Sequence, residues 1–466
     1  MTGSCATASL KNIRAANGEF SPAALRAILV SRLGFSDETR FVVALSGGAD
    51  SVALLSALVA AGWRPRAVHV DHGLHPASGA WADSCAALCH QLGLSCQVER
   101  VQIGTIRARG YEAAAREARY ARLMEVLGPG EVLVTAHHLD DQAETVLLQL
   151  LRGAGLAGLS AMPGVTRFGA GRLARPLLSF HRAELQAYLQ ANKFAWIEDD
   201  SNQDRVRQRN LIRHDVLPQL TEHWPGAIHA LARSARHAAQ AQLLLDELAG
   251  QDILAVGGVA DTLCVSKLVN FSAARQSNLI RFWLRRRGIG MPSEAQLGEI
   301  LRAVAQRPRS GSAIVKWPGA TVRRYRDSLI ALHLGAASGG WEPQSWDLAA
   351  PLVIPAAGVR LRPQPGVGIG LSLARVAGLP LSVRPRVGGE MCRPAGSRHR
   401  RSLKKLLQEG NVPPWERVRM PLLYVGEELA AVADRWVCEP FAAQASEASV
   451  QLVLEDLLGK TFVEHS

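Results

Sequence analysis

The stretch from Phe41 to Trp63 constrains this chain most: an apolar run, FVVAL, leads into SGGADS at 46–51 and then into the helix-periodic VALLSALVAAGW. The apolar run reads as a buried strand and the periodic run as a helix, with a glycine turn between them. Glycine tolerates positive φ and puts no side chain in a ligand's way, so Gly47 and Gly48 can turn the backbone tightly beside a pocket. The first N–H groups of the new helix have no partners within it. Together with the helix dipole they form a site for anions such as phosphate. The same turn also occurs as a plain connection in α/β proteins, and Asp50 is what separates the two readings. A carboxylate is favoured at a helix start, yet it repels a bare phosphate unless a divalent cation lies between them. The loop lacks the spacing and the lysine of GxxxxGK[ST], which argues against γ-phosphate transfer of that kind.

Strand and helix patterns alternate on both sides of this stretch. Ser21-Pro22, followed by Leu25, Ile28, Leu29 and Leu33, has the cap, first-turn proline and spacing of an amphipathic helix. Downstream, RAVHVDHG (66–73) reads as a strand, then come a helix near 79–92, a strand at 96–103, a helix from Glu112 to Leu127, a strand at 131–136 and a helix from Asp140 to Leu151. Such alternation predicts a doubly wound parallel sheet. Ligands bind such sheets outside the carboxyl ends of the strands. Three polar clusters fall at those ends: Ser46 to Ser51, His69 to Gly73, and His137 to Asp141. Each alone is compatible with an ordinary turn, but three at one edge favour a site. In the last, HHLDDQAET, Asp140 and Asp141 suit a helix start, where acids oppose the dipole. Paired acids facing a phosphate loop can also hold a metal, and both readings stay open on the residues alone.

A length of 466 residues predicts two or three domains. With 53 basic and 41 acidic residues the formal charge of +12 points to a polyanionic partner. Cysteines at 5, 85, 89, 96, 264, 392 and 438 include no CxxC pair, which fits a reducing compartment and argues against a metal or sulfur centre. No membrane-length apolar run is present, so the expected location is cytoplasmic, with the first 20 residues poorly ordered.

The motifs SGGADS, HVDHG, HHLDDQAET, RGAGLAGLSAMP and RPLL, in this order and at these intervals, resemble the N-type ATP-pyrophosphatase (PP-loop) domain of the tRNA(Ile)-lysidine synthetases. IEDDSNQDRVRQRNLIRHDVLP (197–218) is similar to that family's acidic-Asn and Arg-Asn segment, and RSLKKLLQEGNVPPWERVRMPLL (401–423) resembles the C-terminal domain of its long members. The residues divide into an α/β domain at 21–218, which the resemblance implies to be a PP-loop domain, a mainly helical mixed domain at 219–334, a stretch of linker composition at 335–346 and a small β-rich domain at 347–466. It implies ATP and Mg²⁺ as cofactors, with L-lysine and a tRNA(Ile) carrying a CAU anticodon as partners. It further implies a ligase that adenylates the wobble cytidine and then joins it to lysine. A membrane partner is not expected, and the assembly state stays open, a homodimer being one option.

By the same resemblance Ser46, Gly47, Gly48, Ala49, Asp50 and Ser51 are expected to bind the nucleotide, with His69 and Asp71 beside them. Asp50 and Asp140 are the expected metal ligands. Asp50, Asp140, Asp141, His137, His138 and Arg209 form the catalytic set, in which the acids orient metal or lysine and the histidines meet charge near the adenylate. RNA contacts are expected from Arg205, Arg209, Asn210 and Arg213, and in the last domain from Arg398, Arg400, Arg401, Lys404 and Lys405. Arg209 and Arg213, four residues apart, share a helix face. Arg207 is a departure, since many relatives have an aromatic residue there. Arg285, Arg286 and Arg287 at a helix end read either as caps or, with Arg323, Arg324 and Arg326 on short strands, as a basic RNA face. A tRNA thiolase, an NAD or GMP synthetase and a non-catalytic RNA binder are the competing readings. The first would want paired cysteines, the second an amidotransferase nucleophile, and the third has no need of an anion loop or paired acids.

Overall fold

A computed structural model describes residues 19–73, 76–101, 111–198, 208–257, 262–306, 314–333, 341–410 and 412–457. The chain forms two compact units, Met1–Leu245 and Asp246–Ser466. In the first, the opening helix α1 (Pro22–Ala27) is capped by the Ser21 hydroxyl and runs on into a wider turn at Ile28–Arg32. Then follow β1 (Phe41–Ala44), α2 (Ala49–Ala60), β2 (Arg66–Asp71), α3 (Ser78–Gln91), β3 (Cys96–Arg100), α4 (Tyr111–Val126), β4 (Val132–Val134) and α5 (Leu139–Leu151). A short helix α6 (Leu156–Leu159), the hairpin β5 (Val165–Phe168) and β6 (Gly171–Ala174), and α7 (Arg182–Ala191) complete the layer.

The sheet order is β3-β2-β1-β4-β6-β5, with β3, β2, β1, β4 and β6 parallel and β5 antiparallel at the edge. Phe41, Val42 and Val43 are buried on both faces of β1, which is why that strand shows no polar alternation. Val43 lies in register with Ala67 on one side and Val134 on the other, so the glycine turn and the ends of β2 and β4 share one edge. α2 is rich in Ala and Ser and packs with residues Val52 to Leu58 almost wholly covered. The β5–β6 hairpin was not expected from sequence. Its strands are short, and Gly171 is required because a Cβ there would collide with the Glu131 carbonyl.

Beyond α8 (Gln208–Leu211), a wide turn at Ile212–Val216 and α9 (Leu217–His223), α10 runs from Ala227 to Ala255. Ala143 of α5 forms a small core with Ile212 and Leu217, so the 208–220 segment is packed onto the helix that follows β4. In the second unit, α12 (Ala273–Arg286) follows β7 (Thr262–Cys264) and α11 (Val265–Leu268), and precedes α13 (Glu294–Ala305), a helix the sequence reading did not place. β8 (Ile314–Trp317), β9 (Ala320–Tyr325) and β10 (Ser328–His333) join β7 in an antiparallel sheet over Trp283. A further core, from Trp341 to Leu454, lies between two more antiparallel sheets, and the expected helix stands at Leu403–Glu409. No helix among the described residues is long and apolar enough to cross a membrane.

The basic group near 285 and 324 serves the fold. Arg285 pairs with Asp246 at 2.5 Å, Arg287 donates to the Ala331 carbonyl at 3.0 Å, and Arg324 donates to the Ala303 carbonyl at 2.6 Å, where α13 ends. Arg324 thus closes the end of α13, whereas Arg285 meets a carboxylate and Arg287 a strand carbonyl, so neither of these two caps α12 as expected.

Candidate active site

The glycine turn leaves β1 at Leu45, whose N–H donates to the Val68 carbonyl at 2.9 Å. Gly47 adopts φ +86, and an added Cβ would run into Ile197 Cδ1. Ile197 in turn donates its N–H to the Gly47 carbonyl at 2.9 Å, so the loop is held from a segment 150 residues downstream. Hydroxyls set the rest of the turn: the Ser51 Oγ donates to the Gly48 carbonyl at 3.0 Å, accepts from the Ser46 N–H at 3.2 Å and lies 3.0 Å from the Ser46 Oγ. Gly48 starts α2 with no side-chain cap, which leaves the first-turn N–H groups facing out of the loop.

His69 and Asp71 act from beneath. The His69 Nδ1 lies 2.9 Å from the Leu45 carbonyl and 3.4 Å from the Cys85 Sγ, tying β2 to the base of the loop. Asp71 accepts from the Gly73 N–H at 2.8 Å, and that bond holds its carboxyl below the usual carboxylate range.

Across the same edge, His138 caps α5 and is 1% exposed. Its Nε2 is 3.6 Å from Asp50 and 3.5 Å from Asp141, and its Nδ1 is 3.4 Å from Asp140. Burial alone would pull this imidazole down, but bonding to Asp140 and Asp50 and the nearby Asp141 charge push it up to about 10. The three carboxylates around it favour the protonated ring. His137 is the opposite case: burial pushes it down to about 3, and its Nδ1 sits 2.9 Å from the Thr135 hydroxyl. Burial would also raise Asp140, yet His138, His181 and the Arg182 N–H, at 2.9 Å, hold it far below the usual range.

Asp141 joins this cluster through Oδ2 to a second network through Oδ1. With Glu144 it shares two guanidiniums: Arg209 reaches Glu144 at 2.7 Å and Asp141 at 2.9 Å, while Arg213 reaches them at 2.6 and 3.0 Å. Glu144 is fully buried. Arg209 and Arg213 thus share a helix face as expected, but that face is turned onto α5. Asn210 between them is buried, and Arg205 and Arg207 lie outside the described residues, as do Asp199 and Asp200. Arg398, Arg400, Lys404 and Lys405 are exposed in the second unit, whereas Arg401 is paired with Glu409 at 2.5 Å.

Four contributors were missed in the sequence. Glu144 was legible in principle, three residues beyond Asp141 and opposite two arginines four apart. Arg182 and His181 carry no local motif signal, and Ile197 opens the 197–218 motif without a charge or polar group to mark it. Arg182 Nε and Asp50 Oδ1 are each buried without a hydrogen-bond partner, and they face each other at 3.9 Å. His181 stands 3.5 Å from Asp140.

Among the described residues no group of three or more ligating side chains is gathered. Asp50 Oδ1, buried and orphaned, together with Asp140 fits an ion such as Mg²⁺, which takes one or two carboxylates and fills its remaining positions with water and phosphate oxygens. A cation with a closed protein cage does not fit.

Three family models match along the chain: a PP-loop domain at residues 22–220, a "TilS substrate binding domain" at 263–330 and a "TilS substrate C-terminal domain" at 381–454. A tRNA(Ile)-lysidine synthase of Alkalilimnicola ehrlichii is 43% identical over 409 residues, which is 87% of this chain and 91% of that protein. The chain belongs to the tRNA(Ile)-lysidine synthase family. Its relatives of the same name from Coxiella burnetii and Methylococcus capsulatus are 37% and 39% identical, over 88% and 90% of this chain and 92% and 97% of theirs. The PP-loop match of the family spans β1 to β6 and the network from Ser46 to Arg213, and its C-terminal match spans the exposed cations at 398–405.

Proposed function

We propose that this chain ligates lysine to the 2-position of the wobble cytidine of a tRNA(Ile) with a CAU anticodon, through an adenylated RNA. The observation that carries the reading is the junction of an N–H-lined glycine turn with the Asp50, His138 and Asp140 cluster, in a chain of this family. In the first step the cytidine oxygen attacks the α-phosphate of ATP and pyrophosphate leaves. In the second, the lysine amine attacks the cytidine C2 and AMP leaves.

The side chains divide that work. The turn from Ser46 to Ser51 offers backbone N–H groups where the phosphates gather negative charge. Arg182 brings a guanidinium to the same place, and the His138 imidazolium supplies a positive charge that is held in position by three acids. Asp50 and Asp140 would hold Mg²⁺, which when bound offsets phosphate charge. The Asp141 Oδ1 is committed to Arg209 and Arg213, so Asp50 and Asp140 are the acids that face metal or the lysine ammonium. The Asp141–Glu144–Arg209–Arg213 lattice fixes α5 so that His138 and Asp140 at its start keep their places. Exposed cations at 398–405 contact the RNA backbone, and with tRNA and ATP as substrates the enzyme works in the cytoplasm.

The test is incubation with ATP, Mg²⁺, labelled lysine and a CAU-anticodon tRNA(Ile). Expected are label in the RNA and pyrophosphate release that depends on that RNA. A folded, ATP-binding protein that transfers no lysine would overturn the proposal.

A further inference from the structure

We propose that Cys392 and Cys438 are a redox modification site, where hydrogen peroxide joins the thiols in a reversible disulfide that fastens the basic 391–402 hairpin to the neighbouring strand end. The two Sγ atoms are 2.9 Å apart and both residues are buried, at 1% and 3% exposure, against Leu406. Their backbones are fixed on either side. Pro394 and Cys438 form an antiparallel bridge, the Ala395 N–H donates to the Val437 carbonyl at 2.9 Å, and the Glu439 N–H donates to the Arg393 carbonyl at 2.8 Å. An Arg393–Glu439 ion pair closes the same junction. The facing thiols therefore need little movement to bond. The remaining described cysteines have other company: Cys264 bonds Ser266 and Asp327, Cys85 contacts His69, and Cys89 lies with Cys96.

Either sulfur can donate the hydrogen bond between them, so either can react first; with Cys438 as the thiolate the steps are these. That thiolate attacks one peroxide oxygen, the O–O bond breaks, and the departing hydroxide takes up the thiol's proton as water, leaving a sulfenic acid. The Cys392 sulfur then attacks the Cys438 sulfur, the S–O bond breaks, and the second water leaves with the Cys392 proton. Two thiols are oxidised and one peroxide is reduced to two waters.

The consequence lies in what the hairpin carries. Cys392 is the register partner of Arg401, and the strand at Arg401–Ser402 leads into the helix with Lys404 and Lys405. A bond between residues 46 apart closes a loop that contains all the exposed cations of this patch. Its effect on RNA rests on the ligase reading above, whereas the bond itself does not.

The experiment treats the reduced full-length protein with peroxide, then maps peptides and follows thermal unfolding. Expected are a linked Cys392–Cys438 peptide lighter by two hydrogens, a rise of about 5 °C or more in the unfolding midpoint, and reversal of both by dithiothreitol. Cys392→Ser should abolish the link and the shift, with Cys438→Ala as the second variant should the first misfold. A sulfinic acid on either cysteine with no link, or a link that forms first between Cys89 and Cys96, would overturn the proposal. Failure of the ligase reading would appear separately, as reduced protein that transfers no lysine yet still forms the linked peptide.

Discussion

Asp50 Oδ1 and Arg182 Nε are both buried, both without a hydrogen-bond partner, and 3.9 Å apart. At that distance they do not bond each other. Unpaired buried polar atoms cost about 1–3 kcal/mol each, so a pair of opposite charge left open at a sheet edge marks where a ligand completes the network. Arg182→Gln should therefore slow ATP-dependent pyrophosphate release by about 10²–10³-fold, the cost of one lost donor to developing charge. Asp50→Ala should abolish release. Both variants should bind tRNA within about twofold of the parent; an RNA-binding loss as large as the catalytic one would make the loop structural.

Glu144 is fully buried with Arg209 at 2.7 Å and Arg213 at 2.6 Å. Glu144→Gln keeps the shape but takes away a charge on which two guanidiniums depend, leaving Asp141 to balance both. Breaking a buried pair from one side costs about 3–5 kcal/mol, and the low end applies because the arginines keep partial access to water. A denaturant titration should show a loss of about 3 kcal/mol. A loss below about 1 kcal/mol would show that the lattice is solvated and holds nothing in place.

These residues show what was legible in the chain and what was not. The parallel sheet and its three polar strand ends could be read because periodicity and glycine are local signals, and Ser46, Asp50, His138 and Asp140 were found that way. The direction in which Arg209 and Arg213 point was not local: it depends on α5 presenting Glu144, a contact between positions 65 and 69 residues apart. Arg182 was invisible for the same reason, since its relation to Asp50 exists only once α7 packs on α2. The hairpin of β5 and β6 was missed because Gly171 reads as a breaker until the Glu131 carbonyl is seen against it.

His138 and His137 bracket the stability of the first unit in pH. His138 is raised from 6.5 to about 10, so its contribution is full below pH 6.5 and is lost as pH climbs through 10. His137 is lowered from 6.5 to about 3, so its contribution is present above pH 6.5 and is lost as pH falls toward 3, alongside that of the depressed Asp140 and Asp141. Denaturant midpoints should peak near neutrality. His138→Gln should flatten the alkaline limb between pH 6.5 and 10 and leave the acid limb in place; an unchanged alkaline limb would mean that His138 is not charged in the native state.

The exposed cations of the C-terminal hairpin and helix differ among themselves in a way that salt can read. Lys404 and Lys405 are exposed, whereas Arg401 is held by Glu409 at 2.5 Å and Arg393 by Glu439. A cation already paired has to give up its carboxylate before it can meet a phosphate, and it releases fewer counterions when it does. Lys404→Glu and Lys405→Glu should each weaken tRNA binding and lower the slope of log affinity against log salt by about one. Arg401→Gln should leave that slope nearly unchanged and instead loosen the helix that begins at Leu403. Binding measured at four or more salt concentrations separates the two behaviours, and a slope unaltered by the lysine reversals would take this patch out of the RNA footprint.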